Sequence, residues 1–201
     1  MVNCGQSCVS AKRLIVVESL KEKFEQGVKD IFSKQVMGDP TDAKTTVGPM
    51  SRADLRDEIH EQVTRSVKQG AKLVLGGKVP EGNHAFYPLT ILSDVKKGIA
   101  AYEEELFGPV AIIIPAKDDD DAIRIANDSV FGLGGAVFSK DIARAEKIAR
   151  EYVESGACFV NMMVRSDARL PFGGIKDSGY GRELSAFGIR EFTNTKTIVV
   201  A

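Results

Sequence analysis

Cysteine and histidine are scarce, with three of the first and two of the second among 201 residues. An odd, sparse set of cysteines argues against a disulfide framework and is normal for a reducing cytoplasm, which is the expected location. Neither His60 nor His84 lies near Cys4 or Cys8 in the sequence, so the spacing offers little for zinc, and no metal is expected. No apolar run approaches the roughly 18 residues that a membrane span needs, and the N-terminus lacks the basic-then-apolar pattern of a signal peptide. Neither sign of charge dominates. The 27 basic and 28 acidic side chains leave a net charge of −1, which gives no broad attraction to nucleic acid or to a membrane surface.

What remains is an ordinary globular composition, 43% hydrophobic and 27% charged, in a chain long enough for one well-buried core and an arm. Apolar spacing alternates between two periods. A strand is expected over 13–17, followed by a helix with Leu20, Phe24, Val28 and Ile31 on one face. Leu55, Ile59, Val63 and Val67 form the stripe of a second helix ending at Gly70. Extended runs follow at 71–75 and 86–92, and Val110 to Ile114, nearly all β-branched, reads as a buried strand. The run Asp118 to Asp121 stands where the next helix begins, so its carboxylates meet helix N–H groups. A strand over 135–138, a helix over 141–154, a strand over 157–161 and a last strand over 195–200 complete the pattern. Repeated strand–helix–strand order predicts an α/β domain with a largely parallel sheet flanked by helices.

Three segments carry chemistry. Gly5-Gln6-Ser7-Cys8-Val9-Ser10 places a thiol in a glycine-led turn just before a strand. Backbone N–H groups there favour the thiolate, the form that attacks a carbonyl carbon; the alternative is a small buried cysteine. Glu104-Glu105-Leu106-Phe107-Gly108-Pro109 reads on its own as a helix end running into a strand. Leu170-Pro-Phe-Gly-Gly-Ile-Lys-Asp-Ser-Gly-Tyr-Gly-Arg-Glu183 is a loop rich in glycine, yet it lacks the endings that mark phosphate-binding loops. Leu75-Gly-Gly-Lys-Val-Pro80 is a turn closing a strand.

Together, Gly5-Gln6-x-Cys8, Glu105-Leu-Phe-Gly-Pro109, Asn127 to Phe138 and Pro171-Phe-Gly-Gly174 resemble the catalytic domain of the aldehyde dehydrogenase family over essentially the whole chain. Val47-Gly-Pro-Met50, the run 54–60 and the ending 181–192 look most like its succinate-semialdehyde branch. The resemblance implies a catalytic domain over 1–190 and a C-terminal oligomerisation strand over 191–201. It makes Cys8 the nucleophile that forms a thioester. Glu105 is assigned to the nicotinamide-ribose hydroxyls of NAD or NADP, and Phe107 to packing near the nicotinamide. The glycine-rich loop becomes scaffolding behind the thiol. Arg165, Ser166 and Arg169 fall where the family lines its substrate entrance; each arginine suits a carboxylate-bearing aldehyde or is simply solvated. The family's nucleotide-binding domain, its oxyanion-binding Asn and its general-base Glu precede the cysteine, and here seven residues do. We therefore expect a fragment, a truncated frame or half of a split enzyme whose cofactor domain is a separate chain. Alone it would be inactive, and it would form a homo-oligomer. The alternative is an inactive remnant serving only as an oligomerisation or interaction module.

Overall fold

The computed structural model describes residues 2–82 and 84–201. Two compact units divide the chain, Met1–Ile125 and Ala126–Ala201.

The first unit is built on a four-stranded sheet of β1 (Arg13–Val17), β2 (Lys72–Leu75), β3 (Thr90–Ser93) and β4 (Val110–Ala116), in the order β1-β4-β3-β2. β4 runs parallel to both β1 and β3, and β2 is antiparallel to β3. A strand flanked on both sides and covered on both faces has no solvent face to alternate with. Accordingly, Val110, Ala111, Ile112, Ile113 and Ile114 are all buried. One face of the sheet packs on α2 (Ala53–Lys68) and the short α3 (Ala100–Glu103) through Ile59, Val63, Leu92, Ile99, Ala101 and Ile112. As expected, Asp118 caps the next helix, α4 (Asp119–Asn127), its Oδ1 accepting the Asp121 N–H at 2.9 Å.

The opposite face carries α1 (Glu18–Phe32), and here the expected stripe is misplaced. Val28 and Phe32 pack against Val16, Ile91 and Ile113, but Leu20, Phe24 and Ile31 are exposed. Two polar tethers set the helix rotation. Lys21 pairs with Asp94, and Glu25 accepts from Lys72 of β2 at 2.9 Å. They turn the row 21, 25, 28, 32 toward the sheet and leave the apolar row beside it uncovered.

In the second unit β6 (Gly134–Val137) and β7 (Ala157–Val160) pair in parallel, joined through α5 (Ile142–Glu151). Two-residue strands β5 (Phe131–Gly132) and β8 (Ile175–Lys176) pair antiparallel. The glycine-rich loop is held tightly. A Cβ on Gly156 would stand 1.7 Å from the Gly173 carbonyl oxygen, and Arg182 donates to the Gly174 carbonyl at 2.8 Å. A short α6 (Ser185–Glu191) follows.

The strand expected over 195–200 does not form: residues 194–201 have no regular structure, and Ile198, Val199 and Val200 are exposed. Extended backbone becomes a strand only when a neighbour takes its N–H and C=O groups. Among the described residues none pairs with it.

Candidate functional site

Parallel pairing of β1 with β4 sets Arg13 against Ile112. Cys8 lies five residues ahead of the first and Phe107 five ahead of the second. Both connections therefore emerge from the same edge of the sheet, which brings the cysteine turn to the Glu105–Pro109 segment.

The contact is close. Gly5 has φ +74°, and a Cβ there would fall 2.0 Å from the Gly108 carbonyl oxygen. Only glycine tolerates both the left-handed backbone and the approach. Asn3 and Cys4 are also left-handed, at φ 51° and 53°, and coil the chain into a 3-10 turn over Val2–Gly5. Its own side chains tie it to the backbone of a third segment. Gln6 Oε1 accepts the Ser51 N–H at 2.8 Å, and the Cys4 thiol donates to the Gly48 carbonyl at 3.3 Å. Cys8 itself stands exposed in the turn that follows. Among the described residues no acceptor takes its backbone N–H, which leaves a donor adjacent to the thiol.

Across the turn, residues 105–108 alternate between exposed and buried. Leu106 is buried in the core, whereas Glu105 and Phe107 face outward, Phe107 with 42% of its surface exposed. The two neighbouring glutamates have different work. Glu104 takes both Arg65 Nη atoms at 2.7 and 2.8 Å and Gln62 at 3.0 Å, bonds that hold its carboxyl below the usual range. That carboxylate pins the segment to α2. Glu105 gives its backbone carbonyl to Gln62 at 3.3 Å; among the described residues its carboxylate takes no hydrogen bond, and its charge acts on Lys12.

One residue escaped the sequence reading. Lys12 is half-buried, donates to the Gly5 carbonyl and lies over Phe107 with Nζ 4.5 Å from the ring centroid. The signal available was slight: a charged residue directly before an apolar strand, four places after the thiol.

The remaining predicted residues belong to the second unit. Arg165, Ser166 and Arg169 lie exposed in the irregular loop after β7. Arg169 is committed within that loop, giving Nε and Nη2 to Asp167 at 2.9 and 2.7 Å. This fork, with the Arg169 backbone N–H, holds Asp167 down to about 2. The charge of Arg165 acts on Asp167 in the same direction.

An exposed thiol, an adjacent amide with no acceptor among the described residues, a carboxylate and a ring thus stand at one edge of the sheet in an α/β unit. The sequence places it more narrowly. The model of the aldehyde dehydrogenase family matches residues 1–198, and the chain belongs to that family. It is 46% identical over 196 residues to a succinate-semialdehyde dehydrogenase [NADP(+)] of Deinococcus radiodurans, covering 98% of this chain and 41% of that protein. Similarity to the Escherichia coli succinate semialdehyde dehydrogenase [NAD(P)+] Sad is 45%, covering 98% and 42%. The solved succinic semialdehyde dehydrogenase of Streptococcus pyogenes, in complex with NADP+, superposes with a TM-score of 0.94 at 38% identity, covering 98% and 43%. The chain thus spans less than half the length of these relatives.

Proposed function

We propose that this chain is the catalytic-cysteine portion of an NAD(P)-dependent aldehyde dehydrogenase that oxidises a small aldehyde, succinate semialdehyde, to its carboxylic acid through a thioester on Cys8. The observation that carries the reading is the seating of the Cys8 turn on the Glu105–Pro109 segment, with Gly5 against Gly108. The names of the relatives support the substrate and the cofactor.

The Cys8 thiolate adds to the aldehyde carbon, and the oxyanion that develops meets the Cys8 amide N–H. The residues present suit the nicotinamide end of NAD or NADP: the outward Glu105 carboxylate can accept from two neighbouring hydroxyls, and the exposed Phe107 offers an apolar face. When bound, the nicotinamide supplies the acceptor for the hydride lost from carbon. Cys8 then holds the acyl group as a thioester until water, activated by a general base, releases the acid. The family resemblance assigns Arg165, Ser166 and Arg169 of the second unit to the recognition of a substrate carboxylate, and of the two arginines Arg169 is the one bonded to Asp167. The free thiols suit a reducing cytoplasm. The uncovered row Leu20, Phe24, Ile31 and the exposed tail suit association with further copies of the chain.

Supplied with the nucleotide-binding portion its relatives carry, in the same chain or as a separate one, this segment is expected to support NADH or NADPH formation from succinate semialdehyde. It should prefer that substrate to uncharged butanal by about tenfold in kcat/KM, and Arg165→Ala should erase the preference through KM. Equal rates with both aldehydes would contradict the substrate, and no aldehyde oxidation at all would contradict the function.

A further inference from the structure

We propose that Lys12 is a positioning residue for the Cys8 nucleophile, closing the turn around the thiol and fixing a positive charge beside it; this rests on the role proposed for Cys8. The Lys12 side chain folds back over the turn to the Gly5 carbonyl, so Cys8 lies inside the loop that this bond closes. The same ammonium caps the Phe107 ring at 4.5 Å. One cation therefore joins the two segments that meet at the Gly5–Gly108 contact, the turn bearing the thiol and the segment bearing Glu105 and Phe107.

The electrostatics agree with this placement. Burial pushes the Lys12 ammonium below the usual lysine value, while the charges of Glu105 and then Cys8 push it back up. A cation that is only half-buried is still partly screened by salt. An ammonium bonded to a carbonyl and resting on a ring face also gives up part of its hydration. Lysine suits the position as a compact charge on a long, flexible stem. In the reaction, a fixed charge here favours the oxyanion over the carbonyl, without donating a proton to it.

The test compares two alkylating reagents of different charge on the 201-residue chain, with peptide mapping at each cysteine. A cation beside the thiol accelerates anionic iodoacetate relative to neutral iodoacetamide. The iodoacetate-to-iodoacetamide rate ratio at Cys8 is expected to exceed that at Cys158, which serves as internal reference. Lys12→Met, similar in length but neutral, should lower the Cys8 ratio about threefold, the size of one nearby charge in a largely aqueous setting. Lys12→Arg should restore it to within about twofold of the original. A purely packing role would leave the ratio unchanged in Lys12→Met while altering both absolute rates together. Should Lys12→Met lose its fold, the unmodified chain decides. Raising salt from about 20 to about 500 mM should shrink the iodoacetate advantage at Cys8, and an advantage that is absent or indifferent to salt overturns the proposal. An unchanged ratio in folded Lys12→Met overturns it too, leaving Cys8 as nucleophile. A Cys8 that neither reagent labels ahead of Cys158 overturns the nucleophile reading, and this proposal with it.

Discussion

A polypeptide of these 201 residues, assayed alone with succinate semialdehyde and NAD or NADP, is expected to give no NADH or NADPH above background at 340 nm. Glu105 and Phe107 suit only the nicotinamide end of a long, flexible dinucleotide. Two contacts at one end do not offset the freedom lost in fixing the whole molecule. Hydrolysis of the thioester also needs a positioned base, and a group of that kind contributes about 10² to 10⁴ in rate. Cys8 should still take one acyl group from an activated ester such as p-nitrophenyl acetate, because that step needs only the thiolate and its N–H donor. Cys8→Ser should abolish even this single acylation. Sustained aldehyde oxidation at about 1 s⁻¹ or faster would contradict the division of labour proposed above.

The second large effect belongs to a residue that takes no part in chemistry. Gly5→Ala must place a methyl group 2.0 Å from the Gly108 oxygen and 2.6 Å from its carbonyl carbon, both backbone atoms that no side-chain rotation can move aside. The φ of +74° adds the usual penalty for a side chain in left-handed backbone. We expect a loss of about 3 kcal/mol, at the high end for one methyl group, and a fall in Tm of about 10 °C. The cysteine turn should also separate from Phe107, slowing Cys8 acylation. A melting temperature within about 2 °C of the unmodified chain would show that the close approach does not hold the turn.

Much of the fold was legible because the sheet strands differ in composition from everything around them. The β-branched run of β4 could only be central, and strand–helix–strand order fixed its parallel neighbours. The orientation of α1 was not legible. Its apolar row was plain in the sequence, but two ion pairs to residues 47 and 73 positions away decide which row meets the sheet. The tail 195–200 has strand composition and, among the described residues, no partner, and composition alone cannot supply a neighbour.

At the candidate site, the family motifs drew attention to Cys8, Glu105 and Phe107, and their common sheet edge follows from one register, Arg13 against Ile112. That edge is the amino end of the strands. The general expectation for open α/β sheets, with ligands at the carboxyl ends, points to the opposite edge. Glu105 is separated from Glu104 only by what Arg65 and Gln62 do to the latter. Lys12 was missed because its importance lies in where Nζ ends, five bonds from the backbone. Arg169 looked as suitable as Arg165 until Asp167 was seen to hold it.

The central claim is that Cys8 is the reactive thiol of this chain, and its two other cysteines provide the comparison. Cys4 is half-buried and donates its thiol to the Gly48 carbonyl. Cys158 is half-buried in β7, where burial pushes its thiol up. Cys8 is exposed, with an uncommitted amide beside it. After brief iodoacetamide treatment at pH 7, peptide mapping should find Cys8 modified about tenfold ahead of either. Equal labelling of the three, or labelling of Cys158 first, would contradict the account.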